Sequence, residues 1–386
     1  MDDPVVIVGA ARTPMGSFMG ALSKQSAPEM GSAAIRAALD RAGIAPDRVD
    51  EVLMGCVLPA GLGQAPARQA SMGAGLPEGV PCATLNKVCG SGMKTAMMAH
   101  DAIAMGSADI VVAGGMESMT NAPYLLEKAR MGYRAGHGKV VDHMFLDGLE
   151  DAYDKGRAMG TFAEDCAEAY QFTRSAQDEY ALESLARAKK AIESGAFAGE
   201  IVALGDVDTD EQPGRAKPEK IPNLKPAFRE GGTVTAANSS SISDGAAALA
   251  LMRRSVAEKM GLTPLAVIRG HAGHAQAPSL FTTAPIAATR KLMEKTGWSL
   301  KDVDLVEVNE AFAVVAMAAM RDLDLPHDKV NVNGGACALG HPIGCSGARI
   351  IVTLLHALAA RDLKKGVASI CIGGGEATAI AVERLA

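Results

Sequence analysis

The sequence is poor in aromatic residues and lacks the features that define several classes of protein. Phe, Trp and Tyr make up 4% of the 386 residues. No apolar run approaches the roughly 20 residues of a membrane-spanning helix, and no basic cluster accompanies the net charge of −6. We therefore expect neither a membrane span nor a nucleic-acid surface. Because 48% of the residues are hydrophobic and 21% are charged, the chain can bury a large core in about two to three domains.

The chain also lacks a targeting signal and a recognisable metal or disulfide pattern. The opening MDDPVVIVGAARTP has no basic region followed by an apolar stretch, and the tail AVERLA is not a peroxisomal signal. The seven cysteines are odd in number and include no C-x-x-C pair, and no H-E-x-x-H motif occurs. This pattern favours reduced thiols over a disulfide framework or a zinc site. We expect a cytoplasmic protein without a metal site.

One internal repeat organises the chain. The segment RAALDRAGIAPDRVD is similar to the later RKLMEKTGWSLKDVD, and each predicts a helix that stops at a glycine, Gly43 or Gly297, before a strand. The helix start CGSGMKTAMMAH is likewise similar to GCSGARIIVTLLH, and the strand ADIVVAGGMES to VASICIGGGEA. The repeat predicts two similar halves related by a pseudo-twofold axis.

The repeat also locates an insertion. Two strands that are almost adjacent in the second copy are separated in the first copy by residues 120–244. We predict an N-terminal half over residues 1–119 and 245–262, an inserted domain over residues 120–244, and a C-terminal half over residues 263–386. Strands that alternate with helices favour an α/β fold with parallel sheets covered on both faces. Ligand sites are then expected at the turns after the strands.

A cysteine interrupts the first glycine-rich turn, NKVCGSGMK. Cys89 stands at or just before a predicted helix N-terminus, where the helix dipole is expected to favour the thiolate. The residue types alone allow three interpretations: a buried filler, a metal or redox thiol, and a nucleophile.

Three further turns combine glycine with reactive or polar side chains. EVNEAFA contains Asn309, NGGACALGHPIGCSGAR contains His341, and CIGGGEA begins with Cys371. Asn309 is equally well explained as a helix cap, and Cys337 and Cys345 are interpreted as packing residues. Four such turns at corresponding ends of one duplicated fold favour a shared site.

Seven segments together resemble the thiolase family, and the resemblance covers essentially the whole chain. They are VIVGAARTPMGSF, NKVCGSGMK, GGMESMTNAPY, GTVTAANSSSISDGAAA, VNEAFA, GGACALGHPIGCSGAR and CIGGGEA, in this order. The resemblance implies two five-stranded α/β/α/β/α halves with a loop domain inserted in the first. It also implies an acyltransferase that uses coenzyme A and acyl-CoA as substrates and holds no permanently bound cofactor.

The same resemblance assigns roles to individual residues. It implies that Cys89 accepts the acyl group and that His341 activates the Cys89 thiol. It also implies that Cys371 shuttles a proton to or from the α-carbon of acetyl-CoA. The backbone N–H groups of Cys89 and Gly373 are expected to hold the oxygen of the acyl thioester. His341 and a water held by Asn309 are expected to hold the enolate oxygen.

Binding residues are implied less directly. Ser240 matches a serine that contacts the pantetheine of coenzyme A, although a simple turn residue explains it too, and Phe228 and Phe312 match pocket-lining aromatics. Ala158 and Phe281 stand where short-chain members often have histidine and methionine. These differences leave the acyl-chain length open.

Two residues have no role implied by the resemblance. Glu376 replaces a more apolar residue found in some members, and His274 has no assignment. Assembly is expected as a homodimer or a homotetramer, with residues 124–141 as the tetramer contact.

The leading functional hypothesis is a reversible Claisen condensation of acetyl-CoA with an acyl-CoA, or thiolysis of a 3-oxoacyl-CoA. The alternatives are a longer-chain thiolase of fatty-acid β-oxidation, a decarboxylating ketosynthase and a non-catalytic acyl-CoA or lipid carrier. Cys371 favours the non-decarboxylating reaction, because ketosynthases usually need a second histidine.

Overall fold

Ten of the twelve strands form one mixed sheet that runs through both halves of the molecule. The computed structural model describes residues 3–385, so that Met1, Asp2 and Ala386, which belong to the two ends searched for targeting signals, lie outside it. The strands are β1 Val5–Arg12, β2 Gly16–Ser17, β3 Glu51–Gly55, β4 Cys82–Leu85, β5 Ile110–Ser118, β6 Tyr124–Leu125, β7 Val141–Asp142, β8 Ser243–Arg253, β9 Ala266–Ala275, β10 Leu305–Val308, β11 Lys365–Ile372 and β12 Glu376–Glu383.

Eleven α-helices in the described part of the chain pack on the sheet or belong to the insertion. They are α1 Ala27–Ala42, α2 Pro66–Gly73, α3 Ser91–Met105, α4 Met159–Tyr170, α5 Arg174–Glu193, α6 Glu211–Arg215, α7 Arg254–Lys259, α8 Ala284–Thr296, α9 Ala313–Asp322, α10 Ala336–Leu339 and α11 Ser346–Ala360. The repeated helices α1 and α8 end at the predicted glycines, Gly43 and Gly297, which adopt the left-handed conformation. Within residues 3–385, no helix combines the length and the apolar character that a membrane crossing requires.

The strand order shows the duplication. It runs β4-β3-β5-β8-β1 in the first half and β9-β12-β11-β10 in the second, and β1 meets β9 in the middle. The second half therefore has four strands where five were expected. Its fifth is reduced to a single parallel bridge between Val306 and Val330.

The prediction of parallel sheets is only partly correct. β3, β4 and β5 are parallel, as are β10 and β11, but β1, β8, β9 and β12 all pair antiparallel. The three residues between β11 and β12 explain the second half, because a parallel pair requires a crossover of a dozen or more residues.

Helices α3 and α11 cross at corresponding residues of the repeat. A Cβ atom on Gly92 would lie 2.8 Å from the backbone N of Ala348, and one on Gly347 would lie 2.4 Å from the backbone N of Met93. Any larger residue would therefore force the helices apart. The repeated glycines bring the N-terminal ends of α3 and α11 together, with the turns that precede them.

The segment between β5 and β8 packs against both halves. It contains α4, α5, α6 and a two-stranded ribbon of β6 and β7. From the first half, the buried Arg12 binds Asp210 at 2.7 Å and Glu200 at 2.5 Å. From the second half, buried Glu310 accepts hydrogen bonds from Tyr180 and Ser184 of α5. The first part of this segment is open to solvent, since Tyr124, Met131 and Val140 are 68%, 84% and 62% exposed.

Candidate active site

Cys89 lies in a tight turn between β4 and α3. The residue before it, Val88, has a φ of +46°, which a β-branched residue rarely adopts. Several hydrogen bonds hold this conformation: Val88 N donates to Asn86 Oδ1 at 2.9 Å, and Ser91 Oγ donates to Val88 O at 2.7 Å while accepting from Lys87 N. Strain of this kind is kept where the surroundings enforce it, often at functional sites. It is the local feature that presents Cys89 at a bend.

The nucleophile turn packs directly on the turn after β11. A Cβ atom on Gly90 would lie 2.3 Å from Cδ1 of Ile372, so only glycine permits this approach. The N–H groups of Gly373 and of Cys89 itself both face the Cys89 sulfur. Cys89 and Gly373, predicted together as donors to one oxygen, are therefore neighbours across the interface between the halves.

The Cys89 thiol is not ionised in advance. Burial of the sulfur raises the pKa of Cys89 to about 11 against the ordinary 9.0, although the two N–H groups counteract this shift. The carboxylate of Glu117 also opposes the thiolate. The helix N-terminus is expected to favour the thiolate, but burial of the sulfur acts in the opposite direction and is the larger effect. Cys89 remains partly exposed and needs a base.

Cys371 is the penultimate residue of β11 and lies in a buried position beside Cys89. Its side chain is 1% exposed. Burial raises its pKa well above 9.0, and negative charge on Cys89 raises it further. Two thiols that influence one another in this way titrate as a coupled pair, and Cys371 holds its proton while Cys89 is charged.

His341 is fixed in one tautomer. Its Nδ1 lies 2.5 Å from Oγ of Ser346, and that hydroxyl donates its only hydrogen to the carbonyl oxygen of Pro342 at 2.9 Å. Nδ1 must therefore carry the proton, which leaves Nε2 with a free lone pair. Burial, supported by the nearby Arg349 guanidinium, lowers the pKa of His341 to about 3. The side chain is a neutral imidazole with an unprotonated Nε2.

Asn309 faces that free nitrogen. Its Nδ2 lies 3.5 Å from His341 Nε2, and its Oδ1 is buried without a protein partner among the described residues. The alternative interpretation of Asn309 as a helix cap is wrong, because α9 begins at Ala313 and its N-cap position is Phe312. The amide is available to polar groups in the site.

Two buried glutamates that sequence reasoning missed hold the turns in place. Glu117 at the end of β5 accepts hydrogen bonds from the backbone N of Val57, Leu58 and Gly344. It thereby ties the turn after β3 to the turn of His341. Burial raises the pKa of Glu117 to about 7, against the effect of these three N–H groups. Its place in GGMES, near the end of a buried strand, was the available signal.

The second missed glutamate, Glu310, follows Asn309 directly. Besides its bonds to α5, it accepts from Asn331 Nδ2 at 2.8 Å and from the backbone N of Cys337 at 3.1 Å. The other thiol of the same loop, Cys345, is fully buried, and burial raises its pKa to about 12. Both cysteines occupy positions consistent with the packing role predicted for them.

The predicted binding aromatics form one cluster. Phe228 and Phe281 each meet Phe312 edge to face, with ring centroids 5.9 and 6.5 Å apart. Phe228 also borders a surface cavity of about 430 Å³ that Lys225 and Arg229 line as well. Ser240 donates its hydroxyl hydrogen to the carbonyl oxygen of Ala311 at 3.0 Å, so it can serve a ligand only as an acceptor.

Two residues without an expected role, Glu376 and His274, each contact a polar side chain. Glu376 forms an ion pair with Lys87, which joins the nucleophile turn to the turn after β11. His274 Nε2 lies 3.0 Å from Gln276 Oε1. Ala158 is the N-cap residue of α4, and the methyl of the next residue, Met159, would lie 3.6 Å from a Cβ on Gly373.

Comparison with known proteins places this geometry in context. The family model described as Thiolase, N-terminal domain, matches residues 5–255, and that described as Thiolase, C-terminal domain, matches residues 262–384. Acetyl-CoA acetyltransferase 2 of Arabidopsis thaliana is 52% identical over 99% of this chain and 97% of its own length. Acetyl-CoA acetyltransferase of Escherichia coli is 52% identical over 98% of this chain and 99% of its own.

A solved structure agrees with the whole fold. The crystal structure of Acat5 thiolase from Ascaris suum in complex with coenzyme A superposes with a TM-score of 0.95 at 42% identity. The match covers 99% of this chain and 100% of that one.

Proposed function

This chain belongs to the thiolase family, and we propose that it catalyses the reversible Claisen condensation of two acetyl-CoA molecules to acetoacetyl-CoA and CoA. The names of its relatives, and the coenzyme A bound to the Ascaris suum thiolase, support these substrates. The observation that carries the proposal is the meeting of two turns: Gly90, next to Cys89, packs on Ile372, next to Gly373, so closely that a Cβ on Gly90 would lie 2.3 Å from Ile372 Cδ1.

The first half-reaction transfers the acyl group to Cys89. Neutral His341 takes the thiol proton on Nε2, the sulfur attacks the thioester carbon, and the bond from that carbon to the CoA sulfur breaks. The proton then passes from His341 to the departing CoA thiolate. The raised pKa of Cys89 makes this base necessary, and the bond from Nδ1 to Ser346 directs the accepting lone pair towards the site.

Two backbone donors stabilise the oxygen that becomes negative during this attack. The N–H groups of Cys89 and Gly373 converge on the sulfur, and a carbonyl bonded to that sulfur places its oxygen within their reach. Removing one such donor typically raises the barrier by about 3 kcal/mol.

The second half-reaction forms or breaks the carbon–carbon bond. In condensation, the thiolate of Cys371 removes a proton from the α-carbon of acetyl-CoA, and the resulting carbanion attacks the acyl carbon on Cys89. The bond from that carbon to the Cys89 sulfur breaks to release acetoacetyl-CoA, and the Cys89 thiolate takes up the proton held by Cys371. In thiolysis the Cys371 thiol returns that proton. Burial, and any negative charge on Cys89, raise the pKa of Cys371, so Cys371 acts as a base while Cys89 is neutral as the thioester.

The enolate oxygen needs its own donors. We assign this role to a water held by Asn309 and to His341, which donates from Nε2 only while that nitrogen carries a proton. The approach of Asn309 to His341 and its Oδ1, which has no partner among the described residues, support the assignment. Coenzyme A lies across Ser240, Phe228 and Phe312 in this proposal. The cation Lys225, which lies beside Phe228, suits a ligand that carries phosphates, whereas Arg229 is already paired with Asp165 and Glu168.

Three further assignments complete the proposal. The inserted domain comprises residues 120–244, between halves formed by residues 1–119 with 245–262 and by residues 263–386. The chain assembles as a homodimer or homotetramer, supported by the exposed apolar residues of segment 124–141. It acts in the cytoplasm, supported by seven free cysteines.

A thiolysis series tests the function and the chain length together. Purified protein is given CoA with acetoacetyl-CoA or 3-oxohexanoyl-CoA, and acetyl-CoA formation is measured. We expect activity on the four-carbon substrate and some on the six-carbon one, since each buried methylene contributes about 0.8 kcal/mol. Ala158→His should depress activity on the longer substrate selectively. Equal loss on both would remove Ala158 from the chain-length role, and inactivity of the wild type on acetoacetyl-CoA would overturn the proposed function.

A further inference from the structure

Outside the active site, two histidines and an aspartate converge between the halves. His100 and Asp101 are neighbours on α3, and His271 lies on β9. Nδ1 of His100 lies 3.1 Å from Oδ1 of Asp101, and Nε2 of His271 lies 2.8 Å from the same oxygen. The two imidazole rings meet edge to face with centroids 5.0 Å apart. Acyl transfer, as described above, uses none of these residues.

We infer that His100, Asp101 and His271 form a binding site for a divalent transition metal such as Zn²⁺. Two imidazoles and one carboxylate are a donor set that zinc accepts, with a water in the fourth position. One atom from each side chain lies within 4.8 Å of the other two. Zinc–ligand bonds of about 2.0–2.2 Å in a tetrahedron separate the ligands by roughly 3.3 Å. The two nitrogen–oxygen distances need to open by only a few tenths of an ångström, and the two histidine nitrogens, which lie within 4.8 Å of each other, have to settle at the same separation.

Burial suits a site with one open side. His100 and His271 are 7% and 8% exposed, so packing holds both rings in position. The Asp101 side chain is 57% exposed, which gives an ion and its water access from solvent. Rings fixed by the protein and a carboxylate free to adjust together form a partly preorganised site.

One cation lies beside the cluster. Lys295 of α8 donates its Nζ hydrogen to the carbonyl oxygen of His271 at 3.1 Å, so it is directed at the backbone. Its charge opposes a bound cation, and Asp101 supplies the negative charge that offsets it. We therefore expect moderate affinity.

The position of the site gives it a structural role. α3 begins two residues after Cys89 and belongs to the first half, whereas β9 belongs to the second. An ion shared by His100 and His271 would fix this helix to the other half. Ligand binding to the folded state alone raises its stability by mass action.

Calorimetric titration of chelator-treated full-length protein with Zn²⁺ tests the inference. Cys89 and Cys371 are alternative zinc ligands as thiolates, so the protein is first alkylated with iodoacetamide. A parallel titration with Co²⁺ separates the sites, since thiolate ligation adds near-ultraviolet charge-transfer bands that nitrogen and oxygen ligation does not. We expect one equivalent to bind, without those bands, and the melting temperature to rise.

Variants assign the ligands. Asp101→Asn and His271→Ala should each weaken binding by about tenfold or more, and the exposed Asp101 can be replaced without loss of folding. His274→Ala, on the same strand, is the matched control and should bind as the wild type does. The inference is overturned if the alkylated wild type binds no better than His271→Ala, which would leave a hydrogen-bonded cluster only, or if His274→Ala loses as much.

Discussion

The turns before α3 and α11 are copies of one another, and the same serine serves a different purpose in each. In the first half, Ser91 Oγ accepts from the backbone N of Lys87 and donates to the carbonyl oxygen of Val88. In the second half, Ser346 Oγ accepts a hydrogen bond from Nδ1 of His341 and donates one to the carbonyl oxygen of Pro342. One hydroxyl braces a strained backbone, whereas the other orients a base.

The two halves also differ in what they do with a cysteine at the start of the helix. Burial raises the pKa of Cys89 to about 11 and that of Cys345 to about 12, so neither thiol is acidic. Cys89 is partly exposed and faces the N–H of Gly373, whereas Cys345 is fully buried. Access and oriented donors, and not acidity, distinguish the proposed nucleophile Cys89 from Cys345, which occupies the position of Gly90 in the repeat.

Replacement of the two cysteines gives the largest expected contrast. Cys89→Ser should lower kcat/KM for thiolysis by about 10⁴-fold or more, because a hydroxyl is far harder to ionise than a thiol. Cys345→Ala, the matched control, should retain activity within about tenfold while lowering the melting temperature through the cavity it creates. Comparable loss of activity in both variants would remove the contrast between the halves.

The pH dependence of alkylation examines the thiol directly. A pKa of about 11 means that the thiolate fraction of Cys89, and hence its rate of reaction with iodoacetamide, rises about tenfold per pH unit from roughly pH 7 to roughly pH 10. A thiol at its ordinary pKa would level off about 2 units earlier. A rate that is constant across neutral pH would instead indicate a Cys89–His341 ion pair and contradict the neutral pair described here.

Replacing Ser91 and Ser346 in turn distinguishes support of the backbone from orientation of His341. Ser346→Ala removes the acceptor of the His341 Nδ1 proton and should lower kcat about tenfold with little change in KM, equivalent to about 1.4 kcal/mol. The ring ¹⁵N shifts of His341 should then report a mixture of tautomers. Ser91→Ala should leave those shifts unchanged. Identical ¹⁵N shifts in both variants and the wild type would show that Ser346 does not fix the tautomer.

The ion pair between Lys87 and Glu376 joins the two halves at the rim of the site and should have the smallest effect. Both side chains are partly exposed, at 26% and 38%, and such pairs contribute about 0–1 kcal/mol. Glu376→Gln should therefore change the free energy of unfolding by less than about 1 kcal/mol in a denaturant titration. Glu383→Gln, which breaks another partly exposed pair with Arg269, is the control. A much larger loss for Glu376→Gln would mean that this pair holds the turns in place.

The repeat, the glycine helix stops and the four turns could be predicted because they are local patterns. The mixed sheet could not be predicted with equal ease, because strand direction depends on which strands meet in space. The left-handed Val88 runs against residue preference and is imposed by hydrogen bonds from neighbouring residues. The features that could not be predicted, strand direction and the left-handed residue, depend on contacts between segments and not on a local motif.

The electrostatics of the site were the least accessible to sequence reasoning. The helix N-terminus indicated an effect that favours the Cys89 thiolate, whereas the burial that opposes it is created only by the assembled halves. Glu117 and Glu310 carry buried networks that link turns far apart in the chain. Their importance follows from the number of hydrogen-bond donors that converge on each carboxylate. These donors are distant in sequence and become neighbours only in the folded chain.

In the proposed mechanism the first half carries the acyl group while the second half moves protons. Acid quench after incubation with acetyl-CoA, followed by peptide mass spectrometry, examines this division in the wild type and in Cys371→Ser. We expect acetyl on Cys89 alone among the seven cysteines in both proteins, with carbon–carbon bond formation lost in Cys371→Ser. Stoichiometric acetyl on Cys371 or Cys345, or a failure of Cys371→Ser to acylate Cys89, would contradict this division of labour.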